Sequence, residues 1–128
     1  MEPVLVTTKD GSHTLYSAEV DEHYHSLFGA VSESMHVFID AGLKATVKDQ
    51  LNILEMGFGT GLNAFLTLLT LQGSGKKVCY TAIEKYPLKD NVLRSLNYTS
   101  QYSDKNSEHF HLLHKVPWNI STEITSEF

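Results

Sequence analysis

Leu51-Asn52-Ile53-Leu54-Glu55-Met56-Gly57-Phe58-Gly59-Thr60-Gly61-Leu62-Asn63-Ala64 is the stretch whose reading decides the fold. Leu51 to Leu54 form a short, apolar-rich run of strand type that passes directly into a turn with glycine at every second position. Glycine adopts positive φ at no steric cost and lets the backbone approach a ligand that a Cβ would hold away. A helix is expected from Leu62 to about Gln72, closed by Gly73-Ser74-Gly75. Further on, Lys77 to Ile83 reads as a second strand ending in Glu84. Pro87 suits a helix N-terminus, with Leu88, Val92, Leu93 and Leu96 as that helix's apolar face. The order strand, glycine turn, helix, strand, acid, helix predicts an α/β fold with a parallel sheet flanked by helices. In such sheets ligands bind at the carboxyl ends of the strands, where the glycine turn and Glu84 both lie.

Toward the N-terminus, Val4 to Thr8 and Thr14 to Tyr16 flank the turn signal Asp10-Gly11 and predict a hairpin. From about Ser26, Leu27, Val31, Met35, Phe38 and Ile39 recur at helical spacing, with Gly42 as the stop. Lys44 to Gln50 reads as a polar connector and residues 99–110 as a polar loop. His111 to Phe128 contains apolar pieces without a complete strand-helix unit. The expected organisation is one domain: residues 1–50 as a hairpin and helix extension, and residues 51–128 as the start of a Rossmann-like sheet.

Composition narrows the function classes. The chain has 128 residues, 41% of them hydrophobic and 20% charged, which excludes disordered and fibrous classes and allows a single core. One cysteine, Cys79, forms no internal disulfide and favours a reducing cytosol. The N-terminus carries no export signal, and the uncharged run Met56 to Gly75 holds five glycines, so it reads as a turn and buried helix rather than a membrane span. Ten Lys+Arg against fifteen Asp+Glu give a net charge of −5, with Arg94 the single arginine. That balance is unfavourable for gripping a phosphate backbone.

The ligand can be narrowed from the loop itself. The dinucleotide fingerprint has the form G-x-G-x-x-G, and its third glycine position is Leu62 here. The sequence instead reads E-x-G-x-G-x-G, and an acid two positions before the first glycine repels a pyrophosphate. It suits a ligand bearing an ammonium group. S-adenosylmethionine carries an ammonium, a carboxylate and a sulfonium but no phosphate, and Glu84 lies where an acid can accept both ribose hydroxyls. A glycine-rich turn in another kind of α/β protein is the plainer alternative.

At this point the sequence resembles a known family. Leu-Glu-Met-Gly-Phe-Gly-Thr-Gly-Leu-Asn-Ala, residues 54–64, is similar to the loop of the MnmC/MnmD-type methyltransferases that complete 5-methylaminomethyl-2-thiouridine in tRNA. A second match lies in Tyr24-His25-Ser26, Gly29-Ala30, Glu33 and His36-Val37-Phe38-Ile39, which follow that family's Y-x-S, G-x-x-E and V-F pattern. The resemblance covers roughly residues 11–97. It implies the N-terminal part of a Rossmann-like, S-adenosylmethionine-dependent methyltransferase fold, cytoplasmic, with tRNA as substrate. It also implies that Tyr24, Ser26 and Glu33 close over the cofactor. Glu55, Gly57, Gly59, Gly61 and Asn63 would hold its methionine portion, and Glu84 the ribose.

The implied chemistry is attack of an alkylamine on the activated methyl, in which alignment supplies most of the rate and a nearby group accepts the amine proton. Family members carry a D-A-F-type motif lining the acceptor pocket and run on beyond the length of this chain. The motif is absent here, so the resemblance implies a cofactor half without the acceptor half and leaves the catalytic residues unassigned. A non-catalytic α/β module binding S-adenosylmethionine or another adenosine-containing ligand is the competing reading, and an NAD-dependent oxidoreductase a third.

Other residues have plainer readings. His109, His111 and His114, and separately His23 and His25, have spacings compatible with zinc, but no second cysteine accompanies them and surface or capping roles are expected. Cys79, mid-strand, is expected to be a buried, inert thiol. Leu66, Leu68, Leu69 and Leu71 are expected to pack the helix on the sheet. Trp118, beside Pro117, is as suited to packing near a turn as to stacking on a base.

Overall fold

The computed structural model describes residues 1–128. β1 (Val4–Thr7) and β2 (His13–Ser17) form the expected hairpin, and β3 (Glu22–His23) adds a third antiparallel strand. α1 (Ala30–Glu33) continues without a break into a π-helical segment, Ser34–Asp40. β4 (Gln50–Met56), α2 (Leu62–Leu71) and β5 (Lys77–Ile83) follow as a strand-helix-strand unit, and the two strands pair in parallel from Gln50↔Lys77 to Met56↔Ile83. α3 (Asp90–Ser95) and α4 (Asp104–Lys115) complete the order.

The expected α/β architecture is present, with several local differences. The first helix starts at Ala30 rather than near Ser26, because the carbonyls of Ser26 and Leu27 turn to Gly29 N and Lys9 N. Leu27 is consequently exposed. π-helical turns are rare and often occur at functional sites; this one presents Ser34, Val37 and Phe38 to the cleft described below. α3 begins at Asp90, three residues after Pro87, with Lys89 in extended conformation as its cap.

The largest difference is α4, which occupies residues read as polar loop. Ser103 caps it by accepting a hydrogen bond from Asn106 N at 3.4 Å. Only His109, Phe110 and Leu113 are buried, so three apolar-facing positions in twelve carry the whole inner face. Phe110 meets the Phe65 ring of α2 edge-on at 5.3 Å and the Tyr98 ring at 6.0 Å. Such pairs add to burial through their ring quadrupoles, which is how a helix of low mean hydropathy is held.

The core lies between the hairpin, the α1/π-helical segment, α2, α4 and one face of the parallel strand pair. Leu66, Leu68 and Leu71 are buried in it as expected. The other face of the strand pair is bare. Leu54 (63% exposed), Met56 (72%) and Ile83 (51%) alternate there with Asn52, Cys79 and Thr81. Cys79 is therefore exposed, not buried: the mid-strand position is as expected, but its side of the sheet is uncovered. No helix is long and apolar enough to cross a membrane.

Candidate functional site

A cleft of about 470 Å³ opens at the carboxyl end of β4. Its floor is Glu55, Met56, Gly57, Phe58, Gly59, Thr60, Leu62 and Asn63; its walls are Tyr24 and His25 on one side and Glu33, Ser34, Val37 and Phe38 on the other. Chain direction explains the position. β4 ends at Met56, and the backbone must reverse within five residues to start α2 at Leu62.

That reversal uses left-handed backbone at Gly57 (φ +83°), Gly59 (+55°) and Gly61 (+73°), so any other residue there is strained. The three differ in surroundings. A Cβ on Gly57 would meet nothing within 4 Å, so this is where the loop lies open to a ligand. One on Gly59 would come within 3.2 Å of the Tyr24 ring, and one on Gly61 within 2.7 Å of His114 Nε2. Gly61 thus faces α4 and does not line the cleft.

Glu55 is 8% exposed at the end of β4. Its carboxylate accepts hydrogen bonds from Asn63 Nδ2 at 3.0 Å and the Tyr80 hydroxyl at 2.7 Å. Burial pushes its proton affinity above the usual carboxylate range, the two donors pull it back, and Glu84 adds a smaller upward push. Beside it, Asn63 Oδ1 is buried with no hydrogen-bond partner in the chain. Tyr80 was not singled out in the sequence; its hydroxyl is raised in proton affinity by burial and by Glu55, so it stays a donor.

Glu84 lies at the end of β5, outside the cleft lining. Its Oε2 accepts from Gly59 N and its Oε1 from Tyr86 N, each at 2.8 Å. Each oxygen keeps a second lone pair for a further donor. Ser26 also lies outside the lining: its N–H donates to Glu33 Oε1 at 3.3 Å and its Oγ accepts from Phe28 N at 3.2 Å. Tyr24 and Glu33 line the cleft directly. The structure therefore gathers Tyr24, Glu33, Glu55, Gly57, Gly59 and Asn63 in one cleft, with Ser26, Gly61 and Glu84 one contact behind it.

Two histidines for which surface or capping roles were expected are part of the loop's support. His25 Nε2 lies 2.8 Å from Thr60 Oγ1, and His114 Nε2 donates to Thr60 O at 3.0 Å. Burial lowers the proton affinity of both, to about 4 for His114, so both are neutral at pH 7. His109 is buried as well.

Parallel strands, a glycine turn and an acid at the end of each strand define an α/β protein of Rossmann-like type. No protein-family model matches the chain. The chain is similar to the MnmC proteins, the tRNA 5-methylaminomethyl-2-thiouridine biosynthesis bifunctional proteins. It is 34% identical to that of Campylobacter fetus over 64% of this chain and 13% of the relative, and 32% identical to that of a Marinomonas species over 89% and 19%. Among solved structures, MNMC2 from Aquifex aeolicus superposes with a TM-score of 0.70 at 29% identity, covering 93% of this chain and 39% of that one. The resemblance read from the glycine loop thus extends over most of the chain, which itself spans 13% and 19% of the length of those two curated relatives.

Proposed function

We propose that the cleft binds S-adenosylmethionine, and that the chain is the cofactor-holding portion of a cytoplasmic methyltransferase acting on the aminomethyl group of a modified wobble uridine in tRNA. The observation that carries the reading is Glu55: a buried carboxylate with raised proton affinity, beside Gly57, the one glycine of the loop whose outer side is open space. Such a carboxylate is stabilised as an ion by an approaching cation, and an α-ammonium group is one. The chain's donors at Glu55 are neutral, from Asn63 and Tyr80, so an ammonium adds a charge-assisted partner that the protein itself lacks. The residues present fit the cofactor.

In this reading Glu55 and Asn63 take the amino-acid end, Gly57 and Gly59 offer close backbone approach, and Glu84 uses its remaining lone pairs on the ribose hydroxyls. Gly61 starts α2, and Tyr24, Ser26 and Glu33 close the N-terminal side. The bound cofactor supplies an activated methyl group; these residues orient it and exclude water. Residues 1–50 then serve as the covering extension and residues 51–128 as the cofactor-binding sheet. The tRNA role is supported by the similarity to the MnmC proteins of tRNA 5-methylaminomethyl-2-thiouridine biosynthesis.

Calorimetric titration tests the ligand class. S-adenosylhomocysteine is expected to bind and NAD not to; the reverse order overturns the reading. Glu84→Ala is expected to weaken S-adenosylhomocysteine binding by ~1–3 kcal/mol, the cost of leaving donors without their acceptor. Transfer of labelled methyl groups to undermethylated tRNA is expected to stay near background with this chain alone. Robust turnover would show that these residues also contain the acceptor site.

A further inference from the structure

The glycine loop poses a mechanical problem that its own sequence does not solve. Three left-handed glycines in five residues carry high conformational entropy, yet a ligand-binding backbone must hold one shape. Part of the restraint comes from the sheet: Gly57 N and Phe58 N both donate to Ile83 O, at 2.8 and 3.3 Å, and Gly59 N donates to Glu84. Beyond Gly59 the side chain that enters the core is Thr60, which is 1% exposed.

We propose that His25 is a positioning residue that fixes the glycine loop through the buried hydroxyl of Thr60. The residue is itself held from behind: the backbone N–H of His25 donates to Thr14 Oγ1 at 2.9 Å, and Thr14 is fully buried in β2. The preceding residue repeats the pattern, with Tyr24 N donating to Leu15 O at 2.8 Å and the Tyr24 ring lying over Gly59. Residues 24–25 thus form a strut from the hairpin sheet to the loop. His114 completes it from the opposite side by holding the Thr60 carbonyl. Thr60 is gripped at hydroxyl and carbonyl by two rings from distant parts of the chain. Both rings are neutral at pH 7, so the grip on the hydroxyl is a neutral hydrogen bond that carries no buried charge beside the cleft.

The inference rests on the cofactor reading for its consequence, but not for its geometry, and two measurements separate them. Hydrogen exchange on the ligand-free chain reads the loop directly. His25→Leu and Thr60→Val are each expected to speed exchange of the Gly59 and Gly61 amides at least tenfold, while amides of β1 and α4 change little. His25→Gln, which keeps a nitrogen at similar reach, is expected to restore slow exchange. Titration with S-adenosylhomocysteine then reads the consequence: each single variant, and the double variant alike, is expected to lose about tenfold in affinity, because both remove one contact. Unchanged loop exchange in His25→Leu overturns the positioning role whether or not the ligand binds. Loss of affinity in His25→Leu with none in Thr60→Val also overturns it, since His25 would then touch the ligand itself. Slow exchange restored by Gln in a chain that binds no S-adenosylhomocysteine upholds the strut and overturns the cofactor reading.

Discussion

Glu55 contributes opposite things to stability and to binding. Its carboxylate is buried, and its raised proton affinity means that ionising it costs more in the folded chain than in the unfolded one. Glu55→Gln removes that burden: its amide oxygen serves Tyr80 in place of Oε2, and its NH2, in place of Oε1, has an acceptor in the unpartnered Asn63 Oδ1 once the Asn63 amide turns over. The variant is expected to melt at the same temperature as the parent or higher, and to bind S-adenosylhomocysteine at least tenfold more weakly, checked by thermal melts and titration. His114 gives a pH signature of known sign. Its folded-state value of about 4 lies below the ordinary 6.5, so the unfolded chain binds the extra proton first. Its contribution is fully present above about pH 6.5 and is lost as pH falls toward about 4. His114→Gln is expected to lose less stability between those limits than the parent in denaturant titrations. Glu55 acts in the opposite sense in both proteins and cancels in the comparison.

At the scale of elements, the parallel unit was legible because its signals agree. Lys77–Ile83 matches the structure at both ends, and α2 ends one residue from its expected close. Glycine turns and buried apolar runs mark such units by local chemistry alone. α4 was not legible, because its support is tertiary: one capping serine and three inward residues in an otherwise polar segment. The same cause hid His25 and His114, whose partner Thr60 lies 35 and 54 residues away. Six of the nine residues named from the sequence line the cleft: Glu55, Gly57 and Gly59 are marked by the loop itself, whereas Tyr24, Glu33 and Asn63 were named through the family resemblance; Ser26, Gly61 and Glu84 lie one contact further back. Phe110→Ala tests the weight of the hidden helix. Phe110 is 1% exposed against Phe65, so truncation is expected to cost ~3–5 kcal/mol in urea unfolding. A cost below about 1 kcal/mol would mean that α4 packs loosely.

For the whole molecule, the dominant feature is a parallel strand pair covered on one face only. Parallel sheets are ordinarily covered on both. Leu54 and Ile83 stand on the bare face, flanking Thr81, with no side-chain hydrogen bonds to lose. Leu54→Thr with Ile83→Thr is expected to change unfolding free energy by less than about 1 kcal/mol, because exposed positions contribute little. It is also expected to lower light scattering at high protein concentration. A large destabilisation would show that the face is packed in solution. The net charge of −5, with a single arginine, predicts that tRNA is not retained by these residues alone at physiological salt, which a filter-binding assay checks.

The two-sided grip on Thr60 also bears on the order in which the protein becomes competent. Residues 51–64 carry the motif, but His25 precedes it and His114 follows it by fifty residues. During synthesis the glycine turn therefore emerges long before the second ring that steadies it. A nascent chain ending near Ser100 has the complete motif and none of α4. The loop is therefore expected to stiffen fully only once α4 has been made and has docked beside Thr60.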